Sequence, residues 1–217
     1  MTSAVRVQGL TVGPLQENCW LLSEPASRAA VLVDPGDEAG RLLAAVADSG
    51  CVLQAIWLTH AHFDHLGAVA AILRAYEVPV WLHPLDRPLY DLAASSALRF
   101  GLTVEQPMAE TVPLSEGAVL TLGTAEFTVW HLPGHAPGHV AFIGEELCVS
   151  GDVLFEGSIG RTDLPGCDPR AMQRSLQRLT TLPPDTRVLC GHGETTTVAR
   201  ECESNPFLRG FARPVGA

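Results

Sequence analysis

Short apolar runs alternate along this chain with glycine, proline and aspartate, a pattern that is typical of strands ended by turns. The strands that the pattern predicts lie at residues 5–12, 19–23, 29–33, 51–58, 78–83, 119–122, 126–131, 140–143 and 147–149, with 187–189 as the last strand of the chain. These strands fall into two groups along the sequence, and each group is followed or interrupted by helical segments.

Apolar positions at helical spacing predict helices at residues 38–47, 66–76 and 169–179. Asp168 is the expected N-cap of the third helix. Residues 84–103 follow no clean period, and we expect a helical insertion there. Two groups of strands with helices beside them predict an α/β fold of two sheets packed face to face, with helices on the outer faces.

One stretch, LTHAHFDH at residues 58–65, concentrates ligand-type side chains where a predicted strand ends and a predicted helix begins. In an extended loop, residues two apart project to the same side, so His60 and His62 can converge on one metal ion. Asp64 and His65 lie at the helix entry, where they can face a second ion. Three histidines and one aspartate within six residues indicate a metal site rather than a polar loop.

Three further ligand-type residues stand beside glycines at the ends of later strands. His135 lies in LPGHAPGH, Asp152 in VSGD and His192 in LCGHG. Loops that are distant in sequence can assemble one site, because ligand sites of α/β sheets gather at strand ends. Imidazole and carboxylate groups without a thiolate suit zinc, iron or manganese. His83 and His131 lack a motif partner, and we expect ordinary strand histidines.

Composition and charge narrow the function classes. The formal net charge is −10 without a block of basic residues, so nucleic acid is not an expected partner. The N-terminus does not resemble a signal peptide and no apolar run is long enough to span a membrane, so we expect a cytoplasmic protein with no membrane partner. The six cysteines form no CxxC pair, and we expect reduced core residues rather than disulfides.

Together the motifs HAHFDH, PGHAPGH, SGD and CGHG resemble the metallo-β-lactamase fold superfamily over nearly the whole chain. Residues 157–163, GSIGRTD, and the pair Asn205-Pro206 are similar to its glyoxalase II, or hydroxyacylglutathione hydrolase, branch. The resemblance implies one αββα sandwich domain over residues 1–217, with a dinuclear metal site at one edge. The ligands it implies are His60, His62 and His135 for one ion, Asp64, His65 and His192 for the other, and Asp152 as the bridge. It implies Asp64 and Asp152 as the catalytic carboxylates.

The expected cofactor is therefore two metal ions per chain, zinc first, with iron and manganese as alternatives. The expected reaction is hydrolysis of a small acyl thioester such as S-lactoylglutathione. Two ions about 3.5–4 Å apart can share a bridging hydroxide that is nucleophilic at neutral pH, and they can polarise a carbonyl. The resemblance also implies that Asp34 supports the histidine loop from outside the ligand set, and we expect a similar outer role for His139.

The substrate is the least determined point. Glyoxalase II enzymes carry a helical C-terminal domain that binds glutathione, whereas only residues 193–217 follow His192, so the chain is more similar to short single-domain relatives. Arg161 is expected either to pair with a ligand carboxylate or to anchor a substrate carboxylate. The insertion at 84–103 either forms a wall of the site or packs as a surface helix, and the side chains in question are Arg87, Tyr90, Arg99 and Phe100.

The main alternative is a mononuclear iron persulfide dioxygenase of the same superfamily, which shares the GRTD stretch and usually has a different residue at the position of His139. A secreted β-lactamase would need an export signal, and the acidic charge disfavours a nuclease of this fold. A non-enzymatic binding module would be expected to have lost ligands, and all seven are present in this chain.

Overall fold

Two six-stranded sheets form the centre of the computed structural model, which describes residues 5–216. The first sheet contains, in spatial order, β1 (Arg6–Val12), β2 (Glu17–Glu24), β3 (Ala29–Val33), β4 (Val52–Trp57), β5 (Val80–Leu82) and β6 (Thr111–Pro113). The second contains β7 (Val119–Leu122), β8 (Ala125–His131), β9 (Val140–Ile143), β10 (Leu147–Gly151), then β13 (Arg187–Cys190) and β14 (Thr196–Thr197). A small hairpin pairs β11 (Leu154–Phe155) with β12 (Ser158–Ile159). The expectation about a signal peptide concerns residues 1–7, of which the first four lie outside the described range.

Helices cover the outer faces of both sheets. They are α1 (Ala39–Asp48), α2 (Val69–Ala75), α3 (Arg87–Asp91), α4 (Ala93–Arg99), α5 (Pro169–Leu179) and α6 (Val198–Ser204), with single 3-10 turns at Phe63–His65 and Pro84–Asp86. The side chain of Asp168 accepts hydrogen bonds from the N–H groups of Arg170 and Ala171, which confirms the predicted cap of α5. The insertion at 84–103 is helical, as predicted.

Three apolar layers hold these elements together. Between the sheets, the Trp57 ring packs with its centroid 5.4 Å from Phe127 and 5.2 Å from Phe142. A second layer lies between the first sheet and helices α1 to α4, and a third lies between the second sheet and α5 and α6. Residues of central strands are buried on both faces, which explains the unbroken burial of β2 and β3. The four-layer αββα sandwich expected from the sequence is confirmed.

The direction of the strands brings the site together. β3 and β4 are parallel, and so are β10 and β13. Their carboxyl ends therefore meet at one edge of each sheet, where loops can supply ligand groups. Asp34 directly follows β3, the histidine loop follows β4, Asp152 follows β10 and His192 follows β13.

Some expectations about the elements are wrong. The strand at 187–190 is not the last one, because β14 follows it and pairs with it in antiparallel fashion. β6, β11, β12, β14 and α6 were not predicted; four of them are strands of two or three residues, too short for a period to show. The six cysteines are free thiols, but Cys51 and Cys167 are only half-buried and Cys202 is exposed, so the core prediction holds for the other three. Within residues 5–216, no helix combines the length and the apolar composition that crossing a membrane requires.

Candidate metal centre

The first group of converging side chains consists of three imidazoles. His60 and His62 come from the loop after β4, and His135 comes from the loop after β8. His62 Nδ1 lies 3.0 Å from His60 Nε2 and 2.8 Å from His135 Nε2. Three ring nitrogens thus point at one small volume, as three ligands of one ion would.

Hydrogen bonds on the far side of two of these rings define which nitrogen carries a proton. The Thr59 hydroxyl donates to Asp34 Oδ2 at 2.6 Å, so its oxygen can accept from His60 Nδ1 at 3.1 Å. His135 Nδ1 donates to the carbonyl oxygen of Arg161 at 2.8 Å. The Nε2 atoms of His60 and His135 are left as lone-pair donors that face the centre.

The environment of this group disfavours extra protons. Burial lowers the pKa of His60 well below its ordinary value, and burial together with the charge of His135 lowers the pKa of His62 to about 3. Burial also lowers the pKa of His135. Neutral imidazoles are the form that binds metal ions, so these three histidines are suited to bind a metal ion rather than protons.

The second group combines Asp64, His65 and His192. Asp64 and His65 belong to the 3-10 turn that follows His62, and His192 follows β13 from the other sheet. His192 Nε2 lies 3.4 Å from Asp64 Oδ2, and one ligand atom from each of the three residues falls within 4.8 Å of the others. His65 Nδ1 lies 3.1 Å from Asp34 Oδ2, so its Nε2 is the atom that faces the group.

Asp152 lies between the two groups. Its Oδ2 is 3.4 Å from His135 Nε2 and 3.6 Å from His192 Nε2, and its Oδ1 is 3.5 Å from His65 Nε2. One carboxylate therefore faces a nitrogen of the first group and two nitrogens of the second. Against the opposing effect of burial, the charges of these histidines, His65 first, lower the pKa of Asp152.

Two buried atoms at the centre have no hydrogen-bond partner in the described part of the chain, His65 Nε2 and Asp152 Oδ1. Burying a polar atom without a partner costs folding free energy. An imidazole nitrogen that faces a carboxylate oxygen is a suitable pair of ligands for a metal ion. Close packing preserves this arrangement, because a side chain at Gly191 would collide with Asp152 Oδ1 and would lie 2.9 Å from His65 Cε1. The donor set thus fits two metal ions on the geometry of this chain alone.

Two residues expected outside the ligand set contact its members, although Asp34 also falls within 4.8 Å of ligand atoms of His60 and His65, as a third group that could hold an ion. Asp34 accepts the Thr59 N–H at 2.7 Å as well as the Thr59 hydroxyl, and it holds His65 from behind. It does so with a left-handed backbone, φ 51°, which a non-glycine residue adopts only when its surroundings enforce it. His139 stacks on His60 at 4.9 Å, and its Nε2 accepts the N–H of Asp152 at 3.0 Å.

Sequence reasoning missed two buried carboxylates. Asp86 accepts the N–H of Ala61 at 3.1 Å and the N–H of Gly138 at 2.5 Å, so it ties the histidine loop to the PGHAPGH loop, and burial raises its pKa to about 6. Glu17 lies with Oε1 3.7 Å from His65 Nδ1, and burial raises its pKa well above the ordinary value. Neither carboxylate belongs to a motif. For Glu17, the only sequence feature that could have indicated a functional role was the run of polar residues at the start of a buried strand.

The remaining candidates occupy other positions. Arg161 forms a two-pronged ion pair with Asp163, at 2.7 and 2.9 Å, and not with a ligand carboxylate as one expectation had it. His83 and His131, expected as unrelated strand histidines, stack on each other at 4.3 Å.

The insertion contributes only in part to a cleft beside Asp64. Phe100 packs 5.3 Å from Phe63, and Leu102 and Thr103 line the cleft. Tyr90 is fully buried in the core and therefore does not form a wall of the site, contrary to one expectation. Arg87 pairs with Asp91 and Glu110 rather than facing the cleft with a free guanidinium.

Comparison with known proteins gives concordant matches. The family model of the metallo-beta-lactamase superfamily matches residues 12–192. Hydroxyacylglutathione hydrolase GloC of Haemophilus influenzae is 36% identical over 209 residues, which cover 94% of this chain and 98% of that protein. The crystal structure of TTHA1623 in a di-iron-bound form is similar with a TM-score of 0.87 at 51% identity, covering 93% of this chain and 100% of that one. The crystal structure of BLEG-1 B3 metallo-beta-lactamase has a TM-score of 0.87 at 38% identity, covering 94% and 99%.

Proposed function

This chain belongs to the metallo-beta-lactamase superfamily, and we propose that it is a hydrolase of small acyl thioesters that binds two metal ions. The observation that carries the proposal is the position of Asp152, whose two oxygens face both groups of ligand-type side chains at 3.4–3.6 Å. The name of the Haemophilus influenzae relative supports the reaction class, and the di-iron form of TTHA1623 supports the number of ions.

In this proposal His60, His62 and His135 would hold one ion, Asp64, His65 and His192 would hold the other, and Asp152 would serve both. Two ions held there would supply a Lewis acid for the thioester carbonyl and a hydroxide that is nucleophilic at neutral pH. Zinc is the first expectation, while the di-iron form of TTHA1623 favours iron as the alternative.

The contribution of the chain itself is to orient these groups before substrate arrives. On the outer side, Thr59 accepts the Nδ1 proton of His60, Asp34 accepts that of His65, and the Arg161 carbonyl accepts that of His135. No protein acid is needed at the leaving group, because a thiolate leaves readily. The buried surroundings of His60, His65 and His135 exclude water from all but the open side, where His62, Asp64 and His192 are partly exposed.

The lining of the cleft beside Asp64 favours a substrate with a small, uncharged acyl group. Its apolar lining comes from Val12, Pro14, Leu15, Phe63, Leu102 and Val104. The charged residues that line it are Asp37 and Asp64, both acidic. Glutathione and coenzyme A carry anionic groups that would find no cationic partner in this cleft, so binding of these carriers should be weak. We therefore propose tolerance of several small acyl thioesters rather than tight selection of S-lactoylglutathione.

A panel of glutathione, coenzyme A and simple alkyl thioesters, offered to protein loaded with zinc or with iron, tests the proposal. Turnover of several thioesters with weak saturation is the expected result, because the loss of uniform binding raises KM more than it lowers kcat. Absence of thioester hydrolysis in a fully metallated sample would overturn the function. Oxygen consumption with glutathione persulfide, by protein that holds one iron, would establish the dioxygenase alternative.

The similarity to BLEG-1 favours a second candidate, hydrolysis of β-lactams. The amide carbonyl of a β-lactam could use the same pair of ions, since both reactions are acyl transfer to water. A chromogenic cephalosporin added to the same metallated sample decides between them. A kcat/KM for the cephalosporin above that for every thioester would assign the β-lactam activity instead.

A further inference from the structure

The loop that carries His192 is held by side chains from the opposite sheet. Asn18 lies in β2 and is 5% exposed. Its Nδ2 donates to the carbonyl of Cys190 at 3.2 Å and to that of Gly193 at 2.8 Å. These two carbonyls flank His192 on both sides, so one amide group spans the loop.

Further contacts from the same short segment reach the same loop. The Asn18 N–H donates to the Gly191 carbonyl at 2.7 Å, and Trp20 Nε1 donates to the Cys190 carbonyl at 3.1 Å. Glu17 and His192 form an isolated antiparallel bridge. Asn18 and Trp20 therefore donate hydrogen bonds to the carbonyls of residues 190, 191 and 193, across the gap between the two sheets.

The chemistry of this contact requires an amide. Asn18 Oδ1 accepts the Thr11 hydroxyl at 2.8 Å, which orients the amide so that both N–H groups point to the loop carbonyls. A carboxylate at this position could not donate. An apolar side chain would leave the Gly193 carbonyl without this donor and the Cys190 carbonyl with Trp20 alone.

Within the described part of the chain, His192 and His62 lack the outer hydrogen bond that fixes the other three imidazoles of the ligand set. His60, His65 and His135 each have an outward Nδ1 contact, to Thr59, Asp34 and the Arg161 carbonyl. For His192, in contrast, the described part of the chain shows no hydrogen bond to the ring on its outer side, and 26% of its side chain is exposed. With no outer hydrogen bond, the direction of the ring is set by the loop backbone and by packing against the Phe155 ring, whose centroid lies 6.0 Å away.

We infer that Asn18 is a positioning residue for His192 and thereby sets the affinity of the second ion, an inference that rests on the two-ion function proposed above. Asn18 contacts none of the ligand atoms, so it acts only through the loop. Removing its amide should leave the first group, which lies on other loops, unchanged.

The test is a titration of metal-free protein with zinc, which resolves the affinities of the first and second ions, in wild type and in Asn18→Leu. Outer contacts of this kind typically contribute 10–100-fold to metal affinity. We expect the second affinity to fall about 10–100-fold and the first to stay the same. In the metal-free protein, amide hydrogen exchange at residues 190–193 should accelerate in the variant, a readout that is independent of activity.

Gln106→Leu is the matched control. The Gln106 side chain is half-buried; its amide accepts the Ala94 N–H and donates to the carbonyls of Tyr90 and Pro107, away from the His192 loop. This variant loses a similar set of hydrogen bonds and should be destabilised to a similar degree, yet keep the second affinity. An equal fall in both variants would show a general loss of stability and would overturn the inference.

A second variant, Trp20→Phe, keeps an aromatic side chain but loses the indole N–H that bonds to Cys190, together with some core packing, and it carries the test if Asn18→Leu does not fold. It should weaken the second ion by a smaller factor than Asn18→Leu does. If the folded variants bind the second ion as tightly as wild type does, the role of Asn18 is overturned and the two-ion proposal still stands. A wild-type protein that takes up a single ion overturns both this inference and the two-ion proposal.

Discussion

The two halves of the metal centre are built in different ways. The first half consists of three imidazoles: His60 and His135 are buried and fixed by outward hydrogen bonds to Thr59 and the Arg161 carbonyl, and His62 is partly exposed. The second half contains a carboxylate, is open to solvent at Asp64 and His192, and depends on a loop held from the other sheet by Asn18. The first half is thus preorganised by its own loops, whereas the second is assembled by the packing of one sheet on the other.

The charge of the two halves differs as well. Burial keeps the first group neutral. In the second, the carboxylates of Asp152 and Asp64 raise the pKa of His65 well above its ordinary value, although burial opposes this shift. An ion in the first half is therefore bound mainly through geometry, and an ion in the second half also through opposite charge. Substrate should approach from the second half, where the cleft beside Asp64 opens.

The largest effect is expected where the two halves meet. Asp152→Ala should lose metal from both halves, and each ion contributes several kcal/mol to transition-state stabilisation. At about 1.4 kcal/mol per tenfold change, we expect kcat/KM to fall roughly 10⁴-fold. Metal analysis and thioester kinetics on the same sample measure this. Two ions retained in the variant would refute the bridging role.

A difference between the halves is expected when one ligand is removed from each. His62→Ala should lose the first ion and His192→Ala the second, and each variant should keep about one ion per chain. A loss of about 3 kcal/mol of transition-state stabilisation corresponds to a fall in kcat/KM of roughly 100-fold. Element analysis after dialysis distinguishes the two variants. Complete loss of metal in both would show that the halves do not bind independently.

A smaller effect on activity, with a clear effect on stability, is expected for Asp34→Ala. The substitution leaves the Thr59 N–H and hydroxyl buried without their acceptor, and each such donor costs about 1–3 kcal/mol. We expect the free energy of unfolding of the metal-free protein to fall by about 2–4 kcal/mol. Urea unfolding measures it. A change below about 0.5 kcal/mol would contradict the supporting role of Asp34, and Asp163→Ala on the surface is the control.

The smallest effect is expected for Arg161→Met. The guanidinium already uses both prongs on Asp163, and both side chains are exposed, so the pair contributes only about 0–1 kcal/mol to stability. Because the guanidinium of Arg161 is already paired with Asp163, KM for thioesters with a carboxylate should change less than about 3-fold, a difference of about 0.6 kcal/mol. A rise in KM that is confined to carboxylate-bearing thioesters would instead identify Arg161 as a substrate anchor.

The sequence indicated the ligand-type residues of the site, but it did not indicate the contacts that hold the loop of His192. HAHFDH, PGHAPGH, SGD and CGHG are local motifs, and the parallel strands that precede them explain why they meet. Asn18 and Asp86 could not be found in this way, because their partners lie at residues 190–193, 61 and 138, and no local pattern signals such a contact. The fold class was predictable from two groups of strands, whereas strands of two or three residues carry too few positions to show a period. The single-domain organisation of residues 1–217 stays a prediction.

The most direct test of the two-ion hydrolase is the metal content of wild-type protein after reconstitution with zinc, iron or manganese. Two ions per chain are predicted, with removal by a chelator abolishing thioester hydrolysis and readdition restoring it. One ion or fewer per chain, in a sample that is folded and saturated with metal, would contradict the proposal.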